Sequence, residues 1–166
     1  MHVMDTAWSR ALRDPSLRDL PYKIETNEYG QIVMSPVKLK HGRFQSRIAV
    51  LLAEIVQRSR GGAVGYAIET RKGVKVPDVV WISRERSAQI PEDAEASTIA
   101  PEICIEVLSE SNTRAEIDEK KQLYFEYGAL EVWTCDTKGR MRFYGPAGER
   151  SASELAPAFP PRIDLP

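Results

Sequence analysis

The sequence predicts one α/β domain, and three observations carry the prediction. Two apolar runs, 76–82 and 103–108, have the length and composition of strands. Two longer segments, 39–58 and 115–127, repeat apolar side chains at helical spacing. A chain of 166 residues with 42% hydrophobic content is long enough for one packed core and short for two. The expectation is a single domain over 1–166, with its core at about 22–145, an N-terminal extension at 1–21 and a proline-rich C-terminal tail at 146–166.

The extension, charged and ending in Asp19-Leu20-Pro21, reads as a short amphipathic segment. Residues 22–26 and 31–34 flank Asn27-Glu28-Tyr29-Gly30, a turn composition, which predicts an N-terminal β-hairpin closed by Ser35-Pro36. Over 39–58, Phe44, Ile48, Leu51, Leu52 and Ile55 define one apolar helical face, and Gly61-Gly62 supplies the stop. Strands are expected at 64–69 and 76–82, separated by the basic turn Arg71-Lys72-Gly73. In the second, Asp78, Val80 and Ile82 alternate with Val79 and Trp81. A strand apolar on both faces belongs in the middle of a sheet. A polar loop covers 84–97. The run 103–108 leads through 109–112 into a helix that opens with the capping box Thr113-Arg114-Ala115-Glu116. Strands at 131–135 and 141–144 form a hairpin about Asp136-Thr137-Lys138-Gly139. The tail from 156 onward carries much of the proline and is expected to lie extended over the surface.

Composition bounds the function. No run approaches the roughly 20 apolar residues of a membrane span, and Met1-His2-Val3-Met4-Asp5 lacks a charged region followed by an apolar one. The expectation is a soluble cytoplasmic protein with no membrane contact. Cys104 and Cys135 lie in apolar strand-like segments, where a buried reduced thiol is the ordinary state. With His2 and His41 as its histidines, the chain argues against a metal cage of imidazole and thiolate. A net charge of −1 lacks the basic excess of a nucleic-acid coat protein, so any phosphate contact must be local. Two clusters qualify, Lys38, Lys40, His41, Arg43 and Arg47, then Arg71, Lys72 and Lys75, although each also fits a solvated surface. No Gly-x-Ser-x-Gly run, Walker pattern or Gly-x-Gly-x-x-Gly turn occurs.

One constellation stands out. Glu106 lies inside the apolar run 103–108, and Lys120 falls near the centre of the helical stripe Ile117, Leu123, Tyr124 and Tyr127, with Lys121 toward its rim. Unpaired, such charges would cost several kcal/mol, so they imply mutual compensation, a metal ion or an opening to solvent. If Asp78 and Glu106 share a face of adjacent strands, their carboxylates reach a single hard cation, Mg²⁺ or Mn²⁺. The backbone carbonyl of Val107 and waters would complete its shell. Lys120 would then orient the attacking water or offset charge on a scissile phosphate. The same residues also allow a buried Glu106–Lys120 ion pair with Asp78 merely opening its strand after Pro77, or a Lys120 that extends along its stem to solvent. Glu69, ending the preceding strand, is either an accessory acid or a surface glutamate.

These residues resemble the Uma-two family of restriction-endonuclease-like proteins, within the PD-(D/E)xK nuclease superfamily. The matching pieces are Pro77-Asp78-Val79, then Pro101 through Ser109 with Glu106-Val107-Leu108-Ser109 at its end. Asp118-Glu119-Lys120 with Tyr124, Gly128 and Glu131-Val132-Trp133 complete the match. The likeness runs from about Ser35 to Asp136. It implies a restriction-endonuclease-like core, a mixed β-sheet flanked by α-helices, and metal-dependent cleavage of nucleic acid. One departure concerns the lysine that the superfamily places two residues after the second acid, where this chain has Leu108. In proteins resembling this one the following helix supplies that lysine, which matches Lys120. His41-Gly42 matches a His-Gly pair of the family, which implies His41 as an accessory contact to phosphate or to a metal-bound water, while a histidine at a helix start also fits a solvated or capping role.

Two functions follow as expectations. The first is an Mg²⁺- or Mn²⁺-dependent endonuclease acting on nucleic acid, DNA before RNA, with Asp78, Glu106 and Lys120 catalytic, and with a homodimer suited to cutting both strands. The second is a catalytically inactive module of the same fold that binds nucleic acid or protein and uses its buried charges structurally.

Overall fold

Residues 5–56, 62–63 and 65–166 are described by the structure, a computed structural model, with the backbone alone described at 62–63. The hydrophobic runs that the sequence marks as strands become the inner strands of a mixed sheet. The chain passes through α1 (Ala7–Arg13), β1 (Tyr22–Thr26), β2 (Ile32–Pro36), α2 (Leu39–Ile55), β3 (Gly62–Ala63), β4 (Ile68–Thr70), β5 (Gly73–Lys75) and β6 (Val79–Trp81). It continues through α3 (Arg84–Ser87), β7 (Ile103–Val107), α4 (Arg114–Glu126), β8 (Glu131–Cys135), β9 (Met141–Gly145) and β10 (Gly148–Arg150). Among the described residues, the main sheet has the order β10-β9-β8-β7-β6-β3, while β1-β2 and β4-β5 form separate two-stranded ribbons. β7 and β8 run parallel, joined across the sheet by α4, and the other pairs are antiparallel. The architecture is the expected α/β one, with its N-terminal hairpin.

Two apolar layers sandwich the sheet. On one face Phe44, Ile48 and Leu52 of α2 pack on Val79, Ile103, Ile105, Val107 and Trp133. On the other, Tyr124 of α4 packs with Val80, Cys104, Val132 and Ala129. Every residue of β7 and β8 is buried, which is why neither strand shows polar alternation. The capping box of α4 forms as its sequence predicts. The Thr113 hydroxyl accepts from the Glu116 amide at 3.2 Å, and the Glu116 carboxylate accepts from the Thr113 amide at 3.1 Å.

Several expectations need correction. The first long helix ends at Ile55, and its expected stop at Gly61 lies outside the described residues, as does Val64. The expected strand 64–69 is the short β4, which pairs with β5 in its own ribbon rather than entering the main sheet. Of 76–82, only Val79–Trp81 is strand, and it lies second from the sheet's end, between β7 and the two-residue β3. Burial on both faces requires cover on both sides, not a central place, and α2 and α4 supply that cover. The loop at 84–97 begins with α3, capped by the Ser83 hydroxyl.

The tail departs most. Ala156, Phe159 and Ile163 are buried, and Phe159 meets Trp133 at 4.7 Å between ring centroids. The tail's backbone bonds the β8–β9 turn region, Met141 amide to Pro161 carbonyl at 2.9 Å and Ile163 amide to Gly139 carbonyl at 2.8 Å. Buried Glu131 holds its start, accepting from the Ser153 hydroxyl at 2.9 Å and the Leu155 amide at 3.0 Å. Three well-spaced apolar side chains outweigh the proline content, because the face of Trp133 and Phe143 would otherwise stay in water.

Candidate active site

Register brings the two acids together. Val79 pairs with Ile105 across the antiparallel β6–β7 ladder, so Asp78, one step before, stands beside Glu106, one step after. The Asp78 amide donates to the Ile105 carbonyl at 3.0 Å and extends the ladder to the site. Both residues are buried, 4% exposed each.

Each carboxylate oxygen has a partner. Oδ1 of Asp78 and Oε2 of Glu106 both accept from Lys23 Nζ, each at 3.0 Å. Oδ2 of Asp78 accepts from the Val107 amide at 2.7 Å and lies 3.3 Å from His41 Nε2. Oε1 of Glu106 accepts from the Tyr124 phenol at 2.5 Å and lies 3.6 Å from Lys120 Nζ. Lys120 donates to Glu25 at 2.8 Å, and the second oxygen of Glu25 accepts from the Val76 amide at 2.7 Å. The structure therefore gathers Asp78, Glu106, Lys120 and His41, all singled out in the sequence, into one cluster. It does not bring in Glu69, which is exposed on β4 and faces a separate cavity with Arg71 and Asn27.

The electrostatics follow from burial and neighbours. For Asp78, burial opposes ionisation, but the His41 bond, Lys23 and the Val107 amide hold its carboxyl well below the usual range. For Glu106, burial dominates over the attraction of Lys120 and Lys23, and the neighbouring acids add to it, so its pKa is raised. Glu25 is also buried, yet Lys120 and Lys23 lower it. Burial pulls Lys23 down, but Glu106, Asp78 and Glu25 outweigh it and lift its pKa. The bond to Asp78 raises His41 against the effect of burial, and the Val107 carbonyl also favours the charged ring.

Sequence reasoning missed Lys23 and Glu25. They alternate along β1 and so face the same way, a signal present in the sequence. Only the tertiary packing gives them partners. Gly73 is part of that packing, because its φ of +91° and the Thr26 backbone beside its Cα leave no room for a side chain. The Val74 amide then donates to the Thr26 hydroxyl at 2.8 Å, and Lys75 to the Thr26 carbonyl at 2.9 Å, which docks β1 against the β4–β5 ribbon.

A cleft of about 240 Å³ opens over the cluster, lined by Lys23, Ser35, His41, Glu106, Ser109 and Lys120 among others. The donors fit a hard divalent cation in kind, since two carboxylates already converge on one positively charged atom. Among the described residues, no set of three or more His, Cys, Asp or Glu side chains is arranged to hold a metal. A cation here would rely on Asp78, Glu106, the Val107 carbonyl and water. The two basic clusters differ in availability. Arg71 is paired with Glu126 and Lys72 with Glu119, both at 2.9 Å, whereas in the exposed cluster at the start of α2 Lys38 lies a looser 3.9 Å from Glu110 and Arg43 donates to the Pro166 carbonyl at 2.7 Å, with Lys40 and Arg47 exposed beside them. Cys104 and Cys135 are free buried thiols. No described helix is long and apolar enough to cross a membrane.

Comparison with known proteins adds the family. A solved structure described as a "putative nuclease belonging to DUF820 from Anabaena variabilis ATCC 29413" is similar to this chain, with a TM-score of 0.70, 20% identity and 90% of each chain covered. At that identity the likeness shows a shared fold. No curated protein matches the chain. The sequence profile of the family described as "Uma2: Putative restriction endonuclease" matches residues 16–154. With most of the chain matched, this protein belongs to the family described as Uma2, putative restriction endonuclease.

Proposed function

We propose that this protein is a divalent-metal-dependent endonuclease that hydrolyses phosphodiester bonds in nucleic acid, DNA in preference to RNA. The observation that carries the reading is the convergence of Asp78 and Glu106, through Oδ1 and Oε2, on a single cationic atom at 3.0 Å from each. Asp78, Glu106 and the Val107 carbonyl would hold Mg²⁺ or Mn²⁺. When bound, such an ion supplies Lewis-acid stabilisation of charge on the phosphate.

The remaining roles belong to the chain's own groups. Lys120, anchored by Glu25, presents its ammonium to the Glu106 side of the cleft, where it offsets charge on the scissile phosphate or orients the attacking water. Tyr124 fixes the Glu106 carboxylate. His41 fixes Asp78 from the α2 side. Lys38 and Lys40 line an adjoining cavity with His41, Ser109 and Glu110, a place for a flanking phosphate once Lys38 leaves its loose 3.9 Å pairing with Glu110. With so few such cations, binding to nucleic acid should be modest and fall with salt. A homodimer would set one site against each strand of a duplex, and sedimentation with and without duplex DNA reads its presence.

Calorimetric titration with Mn²⁺ tests the reading, using the wild type, Asp78→Asn and Glu106→Gln, each checked for folding by circular dichroism. Binding near one ion per chain, lost in both folded variants, supports it. Metal-dependent nicking of plasmid DNA by the wild type should then disappear in Lys120→Met while Mn²⁺ binding persists. No binding by the wild type at millimolar Mn²⁺ overturns it. That outcome favours the inactive module, which has its own supporting observation in the Lys23 ammonium that bridges both acids.

A further inference from the structure

Two oxygens of the acid pair face one another, Oδ1 of Asp78 and Oε2 of Glu106, and both bind Lys23 Nζ at 3.0 Å. The other two are turned away and held elsewhere, Oδ2 by the Val107 amide and Oε1 by the Tyr124 phenol. The pair thus offers one shared position for a positive charge, and an ammonium fills it. A divalent cation shared by the two acids would need the same oxygens, so it and the Lys23 ammonium exclude one another.

Lys23 also has somewhere to go. It stands on the β1–β2 ribbon, outside the main sheet, and pairs across the ribbon with Ser35. Its side chain is 16% exposed and borders the cleft along with Ser35, so rotation of the stem can carry the ammonium into the cleft with the backbone fixed. Lys120 lacks that freedom, since Glu25 holds it at 2.8 Å. The charge balance agrees. With Lys23 withdrawn and His41 neutral, Glu25, Asp78 and Glu106 against Lys120 leave an excess of two negative charges, the complement of a divalent ion, and a protonated His41 beside Asp78 reduces that excess to one.

We propose that Lys23 is a built-in competitor for the metal: its ammonium bridges Asp78 and Glu106 in the metal-free protein and swings into the cleft when a divalent cation takes those oxygens. The proposal rests on the metal-dependent reading above. It makes the resting site stable and poorly receptive to metal, and it ties metal entry to the appearance of a mobile positive charge where a phosphate would lie.

Mn²⁺ calorimetry on the wild type, Lys23→Met and Lys23→Gln tests it, with Asp78→Asn as the control for the site. The expected result is at least about tenfold tighter Mn²⁺ binding in both folded Lys23 variants, because the ion no longer displaces a buried ammonium. Thermal unfolding gives a second readout that needs no catalysis. The Lys23 variants should have a lower metal-free Tm than the wild type and a larger rise on adding Mn²⁺. Should Lys23→Met fail to fold without metal, recovery of its fold in Mn²⁺ but not in its absence supports the same conclusion. Wild-type binding with equal or weaker affinity in both Lys23 variants overturns the competitor role and leaves the metal-dependent reading standing. Absence of Mn²⁺ binding in all of the proteins overturns both.

Discussion

The Tyr124 phenol donates to Oε1 of Glu106 at 2.5 Å, joining helix α4 to strand β7 in a setting where both side chains are buried. The acceptor is a carboxylate, so the bond is charge-assisted and stronger than a neutral one. Tyr124→Phe keeps the ring in its apolar packing and removes the donor. We expect a loss of about 2 kcal/mol in urea unfolding, with weaker Mn²⁺ binding because Glu106 is no longer held in place. A change below about 0.5 kcal/mol would show that the bond contributes nothing net.

Glu25 anchors Lys120 in a pair with side chains 6% and 18% exposed. Glu25→Gln removes the charge and leaves an oxygen able to accept from the Val76 amide. Loss of the closer partner should cost about 2 kcal/mol, less than for a fully buried pair because Lys120 keeps Glu106 at 3.6 Å and some access to water. Denaturant unfolding measures it. If cleavage is found, kcat should fall more than KM rises, since Lys120 would lose its orientation rather than the substrate its binding surface.

Acid should unfold the protein through two carboxylates. Glu25 and Asp78 have folded pKa values below their ordinary values of 4.5 and 3.8, so the unfolded chain takes up protons first as pH falls. Their stabilisation is therefore complete above those values and is lost as pH drops below them. Glu106 acts in the opposite sense, because its raised folded pKa makes protonation relieve a native-state cost. Unfolding free energy measured from pH 7 downward should thus decline below about pH 4, and Asp78→Asn should flatten the decline. An unchanged slope in Asp78→Asn would contradict the assignment.

Phe159 is 5% exposed and its ring lies 4.7 Å from that of Trp133, which also meets Phe143 at 5.0 Å. Phe159→Ala should destabilise by about 3–4 kcal/mol, as for a buried aromatic in a core. A chain cut after residue 154 should lose more, because Ala156 and Ile163 go with it and Trp133 is left open to water. Thermal unfolding and tryptophan fluorescence report both. A truncated chain as stable as the intact one would show the tail to be surface dressing.

Elements whose patterns are local were legible in the residue order. Helical spacing from Phe44 to Ile55 marked α2, Thr113 with Glu116 marked the start of α4, and Asp136 to Gly139 marked the β8–β9 turn. That order also singled out Asp78, Glu106 and Lys120, because charge inside an apolar run is anomalous without any knowledge of the fold. Tertiary structure alone decided what those charges meet. Lys23 and Glu25 are unremarkable on a half-exposed strand until β1 docks beside β5 and carries Lys23 to Asp78, over a separation of 55 residues, and Glu25 to Lys120, over 95. The place of β6 near the sheet's end, the ribbon of β4 and β5, and the burial of the tail are likewise long-range outcomes. Local pattern reflects the period of a helix or strand and the chemistry of a turn, whereas partner choice depends on which distant surfaces bury each other.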